Sequence, residues 1–395
     1  MPALSGLRVL DVSQVLAGPY AAMLLGDMGA DVIKVEAPGH GDLSRQMAPR
    51  ISDDLSGAFL AVNRNKRGVS IDLKHADGQA LLHRLAASAD VLIENFRPGV
   101  ATRLGIDYET LGKLNPRLVH CSISGFGQTG PYALRGGFDL VAQGMSGLMS
   151  VTGTASGEPV KCGVPITDLG AGMFATYGIL AALAARERTG RGQQVDTSLF
   201  ETGIGLEVWE AVEYFHTGDT PQPTGSAHRL GAPYQAFRCA DGHINVGADG
   251  VRHWPVFCKT VGLPELADDP RFATNADRLA HLAELVAQIE ARTSVESRAH
   301  WLSLLEEAGV PAGPINTVPE ALADPQARAR DMVVEVEHPT LGTLRALGPV
   351  VKLSDTPAEI TKAAPDLGQH TDEVLRELGL DAGEVDTLRS EGVLG

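Results

Sequence analysis

Leu7-Arg-Val-Leu-Asp-Val12, then Tyr20-Ala-Ala-Met-Leu-Leu-Gly-Asp-Met28 closed by Gly29, then Asp31-Val-Ile-Lys-Val-Glu36 decide the fold class. The outer runs are short and rich in β-branched residues. The middle run is a small-residue helix that ends at a glycine, so the order reads strand, helix, strand. The strands are apolar in succession rather than alternating, as strands buried on both faces are. The rhythm continues with a helix over Gly78–Ser88, a strand over Val91–Asn95, a short helix over Tyr108–Leu114 and a strand over Leu118–Ser124. A long helix over Gly170–Arg188, closed by the turn Thr189–Gly192, leads to a strand over Gln194–Ser198. Residues 1–200 are therefore expected to form an α/β domain whose parallel sheet is covered by helices on both faces.

At 395 residues the chain exceeds one ordinary core, and two or three domains of ~100–200 residues are expected. Composition shifts to Thr, Pro, Gly and Ser from Gly218 to Ala227, and a linker is placed at residues 201–226. Beyond it, Tyr234–Arg238 and His243–Gly247 read as a hairpin about the turn Ala240–Gly242. Helices around Val251–Val261, Arg278–Arg292 and Val295–Ala308 complete a smaller α+β domain over 227–330, and strand character returns at Arg345–Leu353.

A hydrophobic fraction of 44% and a charged fraction of 21% belong to a soluble globular protein. The net charge of −16 argues against nucleic-acid and anionic-membrane partners, because phosphate affinity needs a positive field. It leaves open an anionic small ligand held by a local basic site. Cys121, Cys162, Cys239 and Cys258 have no paired spacing, so neither disulfides nor a metal site is expected. The N-terminus lacks the cationic and apolar regions of a signal peptide. Met173–Ala185, the most apolar stretch, is 13 residues long against the ~20 of a membrane span, and reads as a buried helix. A cytoplasmic protein is expected.

Gly125-Phe-Gly-Gln-Thr-Gly130 matches the dinucleotide pattern GxGxxG and follows a strand. Pro131 comes next and Arg135-Gly-Gly137 soon after, so no helix opens where a pyrophosphate would sit. The reading is a structural or ligand-lining loop. Glu36 stands where a ribose-binding acid would, although a lone acid there reads as a solvated strand end. Arg64-Asn-Lys-Arg67 reads as a solvated loop, with a phosphate anchor as its functional alternative. Glu94-Asn-Phe-Arg-Pro-Gly99 ends a parallel strand, where open α/β sheets bind ligands. Phe96 beside Arg97 there suits stacking on a base and pairing with a phosphate.

Asp168 lies in Val164-Pro-Ile-Thr-Asp-Leu-Gly-Ala-Gly172, just before the long helix, and reads on position alone as an N-cap. Gly170 and Gly172 weigh against that, since each costs about 1 kcal/mol inside a helix relative to alanine. Something must approach the backbone closely. A helix N-terminus also favours an ionised carboxylate by about 0.3–1 kcal/mol and supplies N–H groups for an oxyanion. Asp168 therefore reads either as an N-cap or as a functional carboxylate.

Taken together, the segments resemble the family III CoA-transferases over nearly the whole chain. The resemblance is carried by Leu16-Ala-Gly-Pro19, Leu25–Glu36, Asn63-Arg-Asn-Lys-Arg67, Glu94-Asn-Phe96 and Gly125–Pro131. It continues in Gly136-Gly-Phe-Asp139, Thr167-Asp168, Thr189-Gly-Arg-Gly-Gln193 and Gly368-Gln-His-Thr371. It implies a Rossmann-like large domain completed by residues 331–395, and a homodimer of two interlocked rings. It also implies attack by Asp168 on an acyl-CoA, a mixed anhydride, an aspartyl-CoA thioester, and transfer of CoA to a second carboxylic acid. Acyl-CoA would be a substrate, and no permanently bound cofactor is implied. An aspartate of ordinary pKa ~3.9 would need no general base.

By the same resemblance Leu16, Ala17 and the strand Ile71, Asp72, Leu73, Lys74 would line the CoA channel. Asn95, Phe96 and Arg103 would meet the nucleotide and phosphates, with Arg97 beside them, and Phe138 and Asp139 the thioester. Ala37 departs from members that place an arginine there, and the four-glycine flap of the formyl-CoA enzymes is missing around Val246-Gly-Ala-Asp-Gly250. An α-methylacyl-CoA racemase needs a histidine where Phe138 stands, and a non-catalytic CoA-binding relative would have lost Asp168. The stretches Gly225–Arg229, Pro233–Phe237 and Glu337–Thr340 look most like the dicarboxylate-using branch. That likeness implies succinyl-CoA as donor and a short dicarboxylate as acceptor, with His228 and Arg229 as candidates for the distal carboxylate.

Overall fold

The computed structural model describes every residue except Asp54 and Ala155. The strands of its main sheet are β1 (Arg8–Asp11), β2 (Asp31–Glu36), β3 (Lys66–Ser70), β4 (Val91–Glu94), β5 (Val119–Ser124) and β6 (Gln194–Ser198). All pair in parallel, in the order β3-β2-β1-β4-β5-β6. Four helices cover the sheet or frame its crevice: α1 (Ala17–Asp27), α2 (Ala76–Ala86), α3 (Asp139–Ser146) and α4 (Ile166–Thr189).

Leu10 lies in register with Ile33 and Leu92, and together they face α2 and the C-terminal residues Val374 and Leu375. The neighbouring row Val9, Val32, Val91 faces Ala21 of α1 and Ala175 and Ile179 of α4. One pleat thus feeds two cores, which is why the strands are apolar without alternation. The C-terminus closes the β3 edge: Ser70 N–H donates to Thr371 Oγ1 (3.1 Å) and Asp72 N–H to Val393 O (2.8 Å).

The chain divides into a unit of residues 1–148, 161–217 and 325–395, and a second of 149–160 and 218–324. In the second, β7 (Tyr234–Cys239), β8 (Gly242–Gly247) and β9 (Ala312–Pro314) form an antiparallel sheet. Its Phe237, Ile244 and Val246 pack on Trp254, Phe257, Leu285 and Trp301.

Several expectations need correction. Residues 201–217, assigned to a linker, belong to the helices α5 (Leu199–Leu206) and α6 (Val208–Thr217). No residue of α6 is buried, so the pattern that marks a core helix is missing there. The strand placed at Arg345–Leu353 is instead β11 (Gly342–Leu347), paired with β10 (Val333–His338), and residues 350–353 are irregular. The long helix begins four residues before Gly170, at Ile166, and runs for 24 residues. That is long and apolar enough to cross a membrane by length and composition. Its Ala171, Ala175, Ile179 and Ala182, however, are buried in the core above the sheet. A Cβ on Gly172 would sit 2.7 Å from Ala17 O, so what approaches the helix there is α1.

The basic run at 64–67 is neither solvated nor open to phosphate. Arg64 pairs with Asp27 (2.6 Å), and Arg67 with Asp31 (2.6 Å), Glu377 (2.6 Å) and Glu373 (2.8 Å). Lys66 Nζ donates to Asp11 Oδ2 (2.7 Å), Asn63 Oδ1 (2.8 Å) and Pro19 O (2.8 Å). Lys34 Nζ bridges Asp42 (2.9 Å) and Asp11 (3.7 Å) and donates to Ser13 O (2.9 Å). Asp11, Lys34 and Lys66 are fully buried. Burial opposes ionisation of Asp11, but the two lysines outweigh it and hold its carboxyl below the usual range. Lys34→Met strips two buried carboxylates of a shared cation. It is expected to destabilise the fold by about 3–5 kcal/mol, read as a lower denaturation midpoint at unchanged slope.

Candidate active site

In a parallel sheet of this order the connections leave β1 and β4 in opposite directions, and the loops after these strands diverge to open a crevice. Here those loops are stitched together. Gln14 N–H donates to Asn95 Oδ1 (2.8 Å), and Asn95 Nδ2 donates to Gln14 O (2.7 Å). Val15 is held at φ 68 by its N–H bond to Asp42 Oδ1 (3.0 Å). Asp42 in turn is kept ionised by Lys34: burial opposes, yet the lysine and the N–H groups of Ser44 and Val15 bring its pKa down to about 2.

A cavity of about 410 Å³ opens at this point. Leu16 and Ala17 line it from the end of β1, Asn95, Phe96 and Arg97 from β4, and Ser124 and Gly125 from β5. Arg135, Phe138 and Asp168 complete its wall. A second cavity of about 440 Å³ is lined by Ala37, Ile71, Asp72, Leu73, Lys74 and Arg103. Gln14, Phe96 and Val100 belong to both walls, so the two spaces adjoin. Lys74 and Arg103 line it without an acidic partner to either side chain among the described residues.

Of the catalytic and CoA-contacting residues expected from sequence, all but Asp139 line one of these two cavities; His228 and Arg229, expected at the distal carboxylate, are not among their lining residues. Asn95 lines the first, but its amide is committed to Gln14 on both sides. Asp139 stands behind the wall as a brace. Its Oδ1 accepts from Thr167 N (3.0 Å) and Thr167 Oγ1 (2.8 Å), and its Oδ2 from Gln143 Nε2 (2.7 Å). Glu36, expected to be solvated or to hold a ribose, is buried and paired with Arg45 (2.7 Å). The GxGxxG loop lines the cavity at Gly125, where a Cβ would lie 2.7 Å from the Cα of Gly137. Sequence reasoning missed Gln14, Val100 and Arg135. Only Arg135 carried a signal, as an arginine preceding Gly136-Gly137 in an aromatic loop.

Pro165, not Asp168, occupies the N-cap position of α4, and Asp168 is in the first turn. Among the described residues its carboxylate accepts no hydrogen bond, so the capping role does not apply. Burial, and after it the charge of Asp139, push Asp168 up to about 6. The ordinary pKa expected from sequence is therefore corrected. The helix N-terminus offers about 0.3–1 kcal/mol, less than the about 1.4 kcal/mol that one pH unit represents, and desolvation wins.

A parallel sheet of this order, with an aspartate that has no partner among the described residues lining a cavity at its reversal point, is the architecture in which α/β enzymes bind ligands. The model of "CoA-transferase family III" matches residues 4–371, and the chain belongs to that family. It is 41% identical over 395 residues to the succinyl-CoA:glutarate CoA-transferase of Mus musculus, covering 100% of this chain and 91% of that one. It is 41% identical over 385 residues to the succinate–glutarate CoA-transferase of Agrobacterium fabrum, covering 95% and 96%. The crystal structure of a CAIB/BAIF family protein from Brucella suis superimposes with a TM-score of 0.86 at 40% identity, covering 95% of this chain and 99% of that one.

Two measurements test the electrostatics of Asp168. The acid limb of kcat/KM is expected near pH 6, and Asp139→Asn should move it to lower pH by removing the neighbouring charge while keeping an acceptor for Thr167. For stability the sign is opposite to that of a salt-bridged acid. A carboxyl raised from 3.8 to about 6 favours the fold below its unfolded pKa and loses that contribution as pH rises through 6. Thermal melts should therefore show wild type losing stability relative to Asp168→Asn between about pH 4 and 6.

Proposed function

We propose that this CoA-transferase moves coenzyme A from an acyl-CoA, with succinyl-CoA as the leading donor, to a free dicarboxylic acid by covalent catalysis at Asp168. One observation carries the reading. Asp168 is a carboxylate lining the switch-point cavity, and that cavity adjoins another bearing the cations Lys74 and Arg103, neither with an acidic partner among the described residues. A nucleophile at one end and cations for phosphates at the other suit an extended thioester such as acyl-CoA. Ile71–Leu73 and Phe96 would flank its nucleotide, and Leu16, Ala17 and Phe138 its thioester end. The glutarate named for both relatives supports a dicarboxylate acceptor.

The carboxylate of Asp168 attacks the donor carbonyl and expels CoA thiolate, leaving an acyl-aspartyl anhydride. The thiolate attacks the aspartyl carbonyl, releasing the donor as a free acid and forming aspartyl-CoA. The acceptor carboxylate then displaces the thiolate to give a second anhydride, and the thiolate takes the acceptor acyl group and frees Asp168. Every nucleophile is already an anion, so no step requires a proton. With a pKa of about 6, Asp168 is ionised at neutral pH while being more basic than an ordinary aspartate.

Trapping with succinyl-CoA and hydroxylamine, followed by peptide mass spectrometry, is expected to find a hydroxamate on Asp168. Asp168→Ala and Asp168→Asn should lose at least about a thousandfold in turnover and still bind CoA. A label on another carboxylate, or a variant with substantial transfer, overturns the assignment.

The exposed apolar side chains support a homodimer. Tyr177 and Leu180 of α4, Trp209, Val212 and Phe215 of α6 and Ile204 of α5 all stand open, and α6 buries none of its residues. An amphipathic helix left bare in this way needs a partner surface. An interlocked arrangement would supply one, and free thiols suit the cytoplasm. Sedimentation velocity is expected to give the mass of two chains, and Trp209→Glu with Phe215→Asp to yield monomer or unfolded chain.

A further inference from the structure

We propose that Arg135 is the residue that selects the acceptor, by holding the carboxylate that does not react. The inference rests on the dicarboxylate reading of this site. Two arginines, Arg97 and Arg135, line the cavity that holds Asp168, and neither is paired with a carboxylate among the described residues. Arg97 extends from the loop whose Phe96 also walls the second cavity, and its guanidinium rests on Gly136, where a Cβ would lie 2.7 Å from Nη2. It lines the first cavity alone, packed on the backbone of the loop that carries Arg135.

Arg135 is held differently. Its N–H donates to Tyr132 O (2.9 Å), closing a turn that brings the two side chains together. Its guanidinium lies 4.7 Å from the centre of the Tyr132 ring and 5.5 Å from that of Phe126, and these two rings meet edge to face at 5.8 Å. Cation–π contacts of this kind restrain the guanidinium without using its N–H groups as donors to the rings' neighbours, and arginine so held can receive a carboxylate through two parallel hydrogen bonds. On the proposed mechanism two dicarboxylic acids, donor and acceptor, occupy this cavity in turn, and each carries a distal carboxylate that takes no part in the chemistry. A cation held in the same cavity wall as Asp168 would compensate whichever distal group is present. His228 and Arg229, the candidates from sequence, belong to the second unit, where the His228 ring packs 5.1 Å from that of Tyr234.

The test compares glutarate with valerate, which has the same chain length and one carboxylate, using succinyl-CoA as donor. Because transfer passes through a covalent enzyme form, kcat/KM for the acceptor does not depend on the donor, and the diacid-to-monoacid ratio isolates the acceptor step. Wild type is expected to favour glutarate by about a hundredfold or more. Arg135→Gln should bring that ratio down by about ten- to a hundredfold, and Arg135→Lys should recover part of it, since an ammonium keeps the charge but not the fork. Arg97→Gln should raise KM for the acyl-CoA and leave the ratio in place. Far-UV circular dichroism and melting curves confirm that each variant is folded. If wild type prefers the diacid and Arg135→Gln keeps that preference, Arg135 is not the selector. A parallel loss of both acids would likewise overturn the proposal, by making Arg135 a support for the loop or for CoA. If wild type uses valerate as well as glutarate, the dicarboxylate reading itself fails.

Discussion

The carboxylate of Asp11 has no access to water and so must be neutralised from within the sheet. Lys34 from β2 and Lys66 from β3 do this, and because each is itself buried, each needs further acceptors. Lys34 finds Asp42 and the carbonyl of Ser13, and Lys66 finds Asn63 and the carbonyl of Pro19. The chain of obligations runs from the strand ends into the loops that frame the cavity. Asp42 then grips Val15, and Asn95 grips Gln14 on both sides. A network of this kind adds little net stability over an apolar core, but it allows very few arrangements of the loop after β1. Leu16 and Ala17 sit at the cavity wall because the residues before them have no alternative.

Pattern alone was enough for most of the parallel sheet, because strands buried on both faces are apolar without alternation, but not for β3: Lys66–Ser70 opens in the basic run read as a loop, and the strand expected at Ile71–Lys74 lies past its end. Asp31–Glu36, Tyr108–Leu114 and Gln194–Ser198 have the boundaries that their β-branched or periodic residues suggest. Pairing across the sequence was not legible. Arg67 reads as a loop charge until Glu373 and Glu377 arrive from more than 300 residues away. The early start of α4 was hidden for a related reason. Gly170 and Gly172 oppose a helix by local propensity, and only the close approach of Ala17 and Thr202 to their backbones makes glycine the residue that fits. The helix α6 escaped because its apolar residues face outward, where a single chain shows no reason for them.

The site itself was legible as a set of residue types at motif spacing, and less so as electrostatics. Position at the start of a helix suggested a stabilised anion. The outcome depends on competition between the dipole, which is weak and local, and desolvation, which is not. Asp139 adds to the second side. It holds Thr167 by two hydrogen bonds, and so fixes the first turn of α4, while placing a like charge near the proposed nucleophile. Bracing and part of the raised pKa come from one carboxylate, and a sequence motif cannot separate those effects.

On the proposed reading the long helix would also link the chemistry to assembly. Its inner face is small, with Gly172, Ala171 and Ala175 pressed against α1 and the sheet, so the helix has little freedom to slide on that side. Its outer face carries Met173, Phe174, Tyr177 and Leu180, all substantially exposed in the single chain. Asp168 sits in the first turn of the same rigid rod. A partner surface closing over the outer face would clamp that rod from both sides and deepen the burial around its N-terminal end. Desolvation is the leading cause of the raised pKa of Asp168. Covering the apolar face would therefore act in the direction that makes this carboxylate more basic, and the pairing of chains and the strength of the nucleophile would be coupled through one helix.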